Sequence, residues 1–138
     1  MTTEDNPSKR TRPGKLRVLV ADDVRDQADS LAFLVTAWGH DVRVVYDGLT
    51  ALQVADSYQP DVAVLDLGLP GMDGYQVAVH LRRQPALKDI KLIALTGYDW
   101  QGAELRSKEY GFDEHCLKPV KPDDLKQLLA SVKPLARG

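Results

Sequence analysis

Five short apolar runs, separated by stretches of helical or turn character, divide the chain from Leu16 onward, and this alternation limits the fold more than any other feature. Leu16–Ala21, Asp41–Tyr46, Val62–Asp66, Lys91–Leu95 and residues 114–117 read as strands. Apolar runs with little polar interruption suit strands buried on both faces. Between them, apolar residues recur at helical spacing: Leu31, Leu34, Val35 and Trp38 over 24–38, then Ala51, Leu52, Ala55 and Tyr58 over 49–58. Val77, Ala78 and Leu81 do the same over 75–84, and Leu125, Leu128, Leu129 and Val132 after Pro122. A weaker helix near 101–110 carries Ala103, Leu105 and Tyr110. Gly39, Pro60 and Pro85 fall where segments should stop. Five strand–helix units predict an α/β fold with a doubly wound parallel sheet, covered on both faces and joined by right-handed crossovers.

Length and composition narrow the rest. At 138 residues the chain is one domain by size. Residues 1–15 are polar, with Pro7 and Pro13, and are expected to form a disordered tail whose basic stretch Lys9-Arg10-Thr11-Arg12 is solvated. The single cysteine, Cys116, excludes an internal disulfide and, inside an expected strand, predicts a buried structural thiol. A net charge of −2 gives no reason to expect nucleic acid as a partner. No run approaches the roughly 20 apolar residues of a membrane span, and the N-terminus lacks a secretory signal. No membrane partner is expected, and the expected location is cytoplasmic.

In open α/β sheets ligands bind beyond the carboxyl ends of the strands. Here those ends carry Asp22-Asp23, Asp66, Thr96-Gly97 and Lys118-Pro119. If the strands are parallel, three carboxylates, a hydroxyl and an ammonium meet at one rim. Crowded carboxylates repel one another and raise at least one pKa, which a hard divalent cation relieves. Oxygen-only ligands favour Mg²⁺ or Mn²⁺ over zinc. Asp66 can also act as a nucleophile toward phosphorus, giving an aspartyl phosphate. Lys118 then supplies charge, Thr96 a hydroxyl, and the backbone N–H groups of Leu67 and Gly97 further donors. Taken singly each feature has a plainer explanation, such as Asp22-Asp23 capping the first helix. Their joint placement at successive strand ends favours the phosphoryl site.

This set, with the phrase Asp66-Leu67-Gly68-Leu69-Pro70-Gly71-Met72-Asp73-Gly74, resembles the receiver domain of bacterial response regulators, including chemotaxis regulators made of that domain alone. The resemblance covers residues 16–136 and implies a flavodoxin-like (βα)5 fold with strand order 2-1-3-4-5. It implies that Asp66 accepts phosphate from a histidine kinase or histidine phosphotransfer protein. Asp23, Asp66 and the Gly68 carbonyl would hold Mg²⁺, with Asp22 acting through water, and Thr96 and Lys118 would hold the phosphoryl oxygens. The Lys118–Pro119 peptide is expected to be cis. Such a domain catalyses its own phosphorylation and hydrolysis, and is a signalling switch rather than an enzyme with a separate substrate. Thr96 would move toward the phosphoryl group, repacking the fourth helix, fifth strand and fifth helix to control a partner protein. The usual aromatic switch residue is replaced here by His115, which departs from the family pattern. Tyr98, two residues after Thr96, would screen the phosphoryl group. Phe33, off the core stripe of its helix, is expected to be an isolated exposed apolar residue, with contact to a phosphotransfer helix as the alternative.

Two alternatives stay open at this level. A haloacid dehalogenase-type phosphatase also uses an aspartyl phosphate, but carries a second Asp where this chain has Gly68. A start at Met1 and an end soon after the fifth helix suit a stand-alone regulator, yet a receiver module from a hybrid histidine kinase fits the same residues.

Overall fold

The structure is a computed structural model that describes residues 15–97, 106 and 108–135. Residues 1–14 of the tail expected over 1–15, Tyr98 and most of the weak helix near 101–110 lie outside the described residues; Arg106, Lys108 and Glu109 are helical. In chain order the elements are β1 Arg17–Ala21, α1 Arg25–Ala37, β2 Asp41–Val45, α2 Gly48–Tyr58, β3 Val62–Asp66 and α3 Gly74–Arg83. A 3-10 turn at Pro85–Leu87, β4 Lys91–Thr96, β5 Glu114–Leu117 and a C-terminal helix Pro122–Ala130 follow.

All four strand pairings are parallel, in the order β2-β1-β3-β4-β5. Period-two alternation explains the core. Leu19 and Ala21 join Ala63, Leu65 and the buried faces of α2 and α3, whereas Val18 and Val20 join Val64, α1 and the C-terminal helix. Central β3 is buried throughout, while the edge strands β2 and β5 are only partly so. Each fully buried Val or Leu contributes about 1.5–3 kcal/mol, so the sheet carries most of the apolar burial.

Local signals fix most boundaries. Asp73 caps α3 reciprocally with Gln76, which starts the helix one residue earlier than the apolar spacing suggests. Tyr58 departs from the core role expected of it. It is half-buried, donates to Asp41 at 2.5 Å and lies under the Arg43 guanidinium, because its hydroxyl needs a polar partner. The sequence pattern also passed over Asp61, which is buried at the opposite rim. Its carboxylate accepts the N–H groups of Arg17 at 2.8 Å and Leu135 at 2.7 Å.

Helix α1 ends in a Schellman turn, with Gly39 N–H on Thr36 O, His40 N–H on Val35 O, and Gly39 at φ +98°. The turn brings His40 under β1, where Nδ1 accepts the Leu16 N–H at 3.1 Å. Burial lowers the His40 pKa from its ordinary 6.5. A lowered folded-state pKa means the unfolded chain binds the proton more readily. This contribution is therefore full above about pH 6.5 and is lost as pH falls toward the folded value. Unfolding titrations are expected to show stability falling across that window as pH drops, and His40→Ala should remove this component of the pH dependence.

Candidate phosphoryl and metal site

Register explains how the strand-end residues meet. Ala21 pairs with Leu65, so Asp22, one residue past β1, stands level with Asp66. Thr96 is the last residue of β4 rather than the first beyond it, and pairs with Leu117. Lys118 follows immediately, its N–H donating to Thr96 O at 2.7 Å, and the Lys118–Pro119 peptide is cis. The parallel sheet thus turns four distant sequence positions into neighbours.

Lys118 Nζ lies 3.0 Å from both Asp22 Oδ2 and Asp66 Oδ2. The Asp66 contact is a hydrogen bond; the Asp22 contact is an ion pair without hydrogen-bond alignment. Asp22 is fully buried, its Oδ1 accepts the Val24 N–H at 3.0 Å, and its Oδ2 has no hydrogen-bond partner among the described residues. Burial first, and then the charge of Asp66, raise the Asp22 pKa against the opposing pull of Val24 and Lys118. Lys118 is held above its ordinary value by the two carboxylates, which outweigh its own burial. The plainer role for Asp22 as a helix cap is thereby limited: it binds the N–H of Val24, the N-cap residue, while Val24 itself offers no side-chain cap.

Carboxylate oxygens of Asp22, Asp23 and Asp66 lie within 4.8 Å of one another, with Asp23 exposed. A cluster of three acids facing the Lys118 ammonium, one of them fully buried, fits a hard divalent cation. The donor set contains oxygen alone, in keeping with Mg²⁺.

One assignment needs correction. Leu67 N–H is not available to a phosphoryl group, because it continues the sheet ladder by donating to Leu95 O at 3.1 Å. The N–H turned toward the carboxylate belongs to Gly68, which donates to Asp66 Oδ1 at 3.0 Å. The strand's own pairing was the signal: Asp66 is still in register with Leu95, so the next N–H belongs to the ladder. Gly97 lies just past β4 in an exposed position where a side chain would meet nothing within 4 Å.

The remaining candidates are dispersed as their positions dictate. Thr96 is buried at the rim, and His115 is partly buried in β5, paired with Ala94. Phe33 is 74% exposed on α1, away from that helix's buried stripe of Ala28, Leu31 and Val35. Cys116 is buried, and burial pushes its thiol up to about 11, which suits a structural thiol rather than a reactive one.

Comparison with known proteins agrees with this geometry. The curated relatives include response regulator PleD of Caulobacter vibrioides, 35% identical over 121 residues, covering 88% of this chain and 26% of PleD. They also include the DNA-binding dual master transcriptional regulator RpaA of Synechocystis, 32% identical over 121 residues, covering 88% of this chain and 49% of RpaA. The chain therefore spans about a quarter to a half of these relatives. RpaA also limits the expectation drawn from net charge, since a longer relative of this chain is named as DNA-binding.

Among solved structures, chemotaxis protein CheY4 of Vibrio cholerae has a TM-score of 0.81 and 25% identity, covering 86% of this chain and 99% of that one. The receiver domain of sensor histidine kinase PA1611 from Pseudomonas aeruginosa has a TM-score of 0.77 and 26% identity, covering 83% and 94%. It holds a magnesium ion coordinated in its active site cleft. No helix among the described residues is long and apolar enough to cross a membrane. Residues 18–130 match the family model of the response regulator receiver domain, and the chain belongs to that family of two-component signalling switches.

Proposed function

We propose that Asp66 accepts a phosphoryl group from the phosphohistidine of a histidine kinase or histidine phosphotransfer protein, in a reaction that depends on Mg²⁺, with Mn²⁺ as a substitute. The observation that carries this is Lys118 Nζ, 3.0 Å from both Asp22 and Asp66, beside a third carboxylate. An Asp66 carboxylate oxygen attacks phosphorus, the new O–P bond forms as the N–P bond breaks, and the donor imidazole leaves. Lys118 and the Thr96 hydroxyl receive the equatorial oxygens, joined by the N–H groups of Gly68 and Gly97. Asp23, Asp66 and the Gly68 carbonyl would hold the cation, with Asp22 acting through water, and the bound cation would neutralise charge on the phosphoryl group. Water attack on the acyl phosphate later returns Asp66 to its free form.

Output follows from the same connections. Thr96 and Lys118 are joined by a backbone hydrogen bond at the top of β4 and β5. Movement of Thr96 toward a phosphoryl group therefore reaches β5, where His115 takes the place of the usual aromatic residue. A cytoplasmic partner protein would read that surface. A second reading, a receiver module belonging to a longer histidine kinase, is favoured by the similarity to the PA1611 receiver domain. Membership of the receiver family counts against the phosphatase alternative.

Incubation with acetyl phosphate and Mg²⁺ should add one phosphoryl mass to Asp66, identified after borohydride reduction and peptide mass spectrometry. Chelation of divalent ions should reduce labelling at least ~100-fold, about 2.7 kcal/mol in barrier. Equal labelling with and without the chelator would count against the metal's role, and labelling elsewhere against Asp66.

A further inference from the structure

Gly48 is the first residue of α2, and its backbone lies outside the left-handed region, so conformation does not demand glycine there. Space does. A Cβ at Gly48 would overlap the Met72 carbonyl oxygen, and would stand 2.8 Å from the Met72 carbonyl carbon and 2.9 Å from its Cβ. Two of those three atoms are backbone, so no rotamer change relieves the overlap. The loop between β3 and α3 rests directly on the first turn of α2.

Neither side can yield freely. The α2 terminus is fixed by Asp47, whose carboxylate accepts the Thr50 N–H at 2.8 Å and the Thr50 hydroxyl at 3.0 Å. Ala51 and Ala55 are fully buried one and two turns on. At the far end of the loop, Gly74 N–H donates to Leu67 O at 3.2 Å, and Asp73 is engaged in the α3 capping box. Met72 also packs against the core, and its N–H closes a tight turn on Pro70 O at 2.9 Å, with Gly71 at φ +76°. A push at Met72 is therefore absorbed by residues 68–71, which begin with Gly68, the donor to Asp66.

We infer that Gly48 is a positioning residue for the phosphoryl site. Its bare Cα is the seat of the β3–α3 loop, and the seat sets where Gly68 stands relative to Asp66. The inference rests on the metal and phosphoryl role proposed above for Gly68 and Asp66.

Gly48→Ala separates this from a merely structural role, since alanine is the better helix former. Calorimetric titration of the folded variant with MgCl₂ should give an affinity weaker by about 10-fold or more, as for other changes behind a metal ligand. In metal-free protein, the backbone amide NMR signals of Asp66 and Gly68 should also shift. Leu49→Ala, an exposed change in the same helical turn, should leave both unchanged. Natural Mg²⁺ affinity with unshifted Asp66 and Gly68 signals in Gly48→Ala overturns the inference. Should Gly48→Ala fail to fold, Met72→Gly removes the side chain that packs the seated loop against the core and so loosens it above an intact Gly48; weaker Mg²⁺ binding supports the inference and unchanged binding overturns it. If the natural sequence itself takes neither Mg²⁺ nor label, the proposed function fails, and the metal-free NMR comparison still decides whether Gly48 seats the loop.

Discussion

Replacing Asp66 by Asn is expected to abolish phosphoryl incorporation, with labelling from acetyl phosphate reduced at least ~100-fold, about 2.7 kcal/mol in barrier. The change is nearly isosteric and leaves a side-chain oxygen able to accept the Gly68 N–H, now at 3.0 Å. It removes the anionic nucleophile and one of the three charges that gather a cation. Asp22 should ionise more readily in the variant, because the neighbouring charge that raises its pKa is gone. Retention of the fold is checked by thermal unfolding. A folded Asp66→Asn protein that takes up label at the natural rate would remove Asp66 as the phosphoacceptor, whatever its place in the sheet.

Lys118→Met is the second large effect, and it should appear in stability as well as chemistry. The ammonium faces a fully buried Asp22 and a largely buried Asp66, both at 3.0 Å. Removing one partner of a buried pair costs roughly 3–5 kcal/mol. Lys118 is partly exposed, and solvent screening reduces that figure to about 2 kcal/mol. The loss should be largest in metal-free protein and shrink as Mg²⁺ saturates, since the cation replaces the missing positive charge. Denaturant titrations with and without Mg²⁺ measure the difference directly. An equal deficit in both conditions would show that the cation and Lys118 do not neutralise the same carboxylates.

These two effects differ in how far the sequence announces them. Asp66 is legible because a buried strand that closes on a carboxylate has few structural reasons to do so. Lys118 says little alone, since a Lys-Pro step is an ordinary turn; it becomes informative only as the fourth member of an ordered set. The strand boundaries were legible for a simple reason: β1, β3 and β4 are buried on both faces and need uninterrupted apolar runs. Edge positions were less so. Tyr58 fits an apolar stripe by spacing, yet its hydroxyl is drawn to Asp41 on the adjacent edge strand. Leu67 and Gly68 both follow closely on Asp66 in sequence, and only pairing with Leu95 decides which N–H is left to face the carboxylate.

Asp61 and Gly48 mark the limit of what spacing conveys. Nothing local distinguishes Asp61 from a turn residue, because its partners, Arg17 and Leu135, are 44 and 74 positions away. Gly48 looks like ordinary helix punctuation after Asp47, and its need for an empty Cβ position arises from a loop more than twenty residues later.

The sequence by itself determined the alternation of buried strands and amphipathic helices, and so the parallel sheet with its acids, hydroxyl and ammonium at one rim. That follows because periodicity and strand-end chemistry are local properties of the chain. The tertiary structure decided which backbone donor faces Asp66, how Lys118 divides itself between two carboxylates, and why the β3–α3 loop needs a glycine beneath it. Those outcomes depend on register and on close contacts between distant segments, where a shift of one residue or one methyl group changes the result.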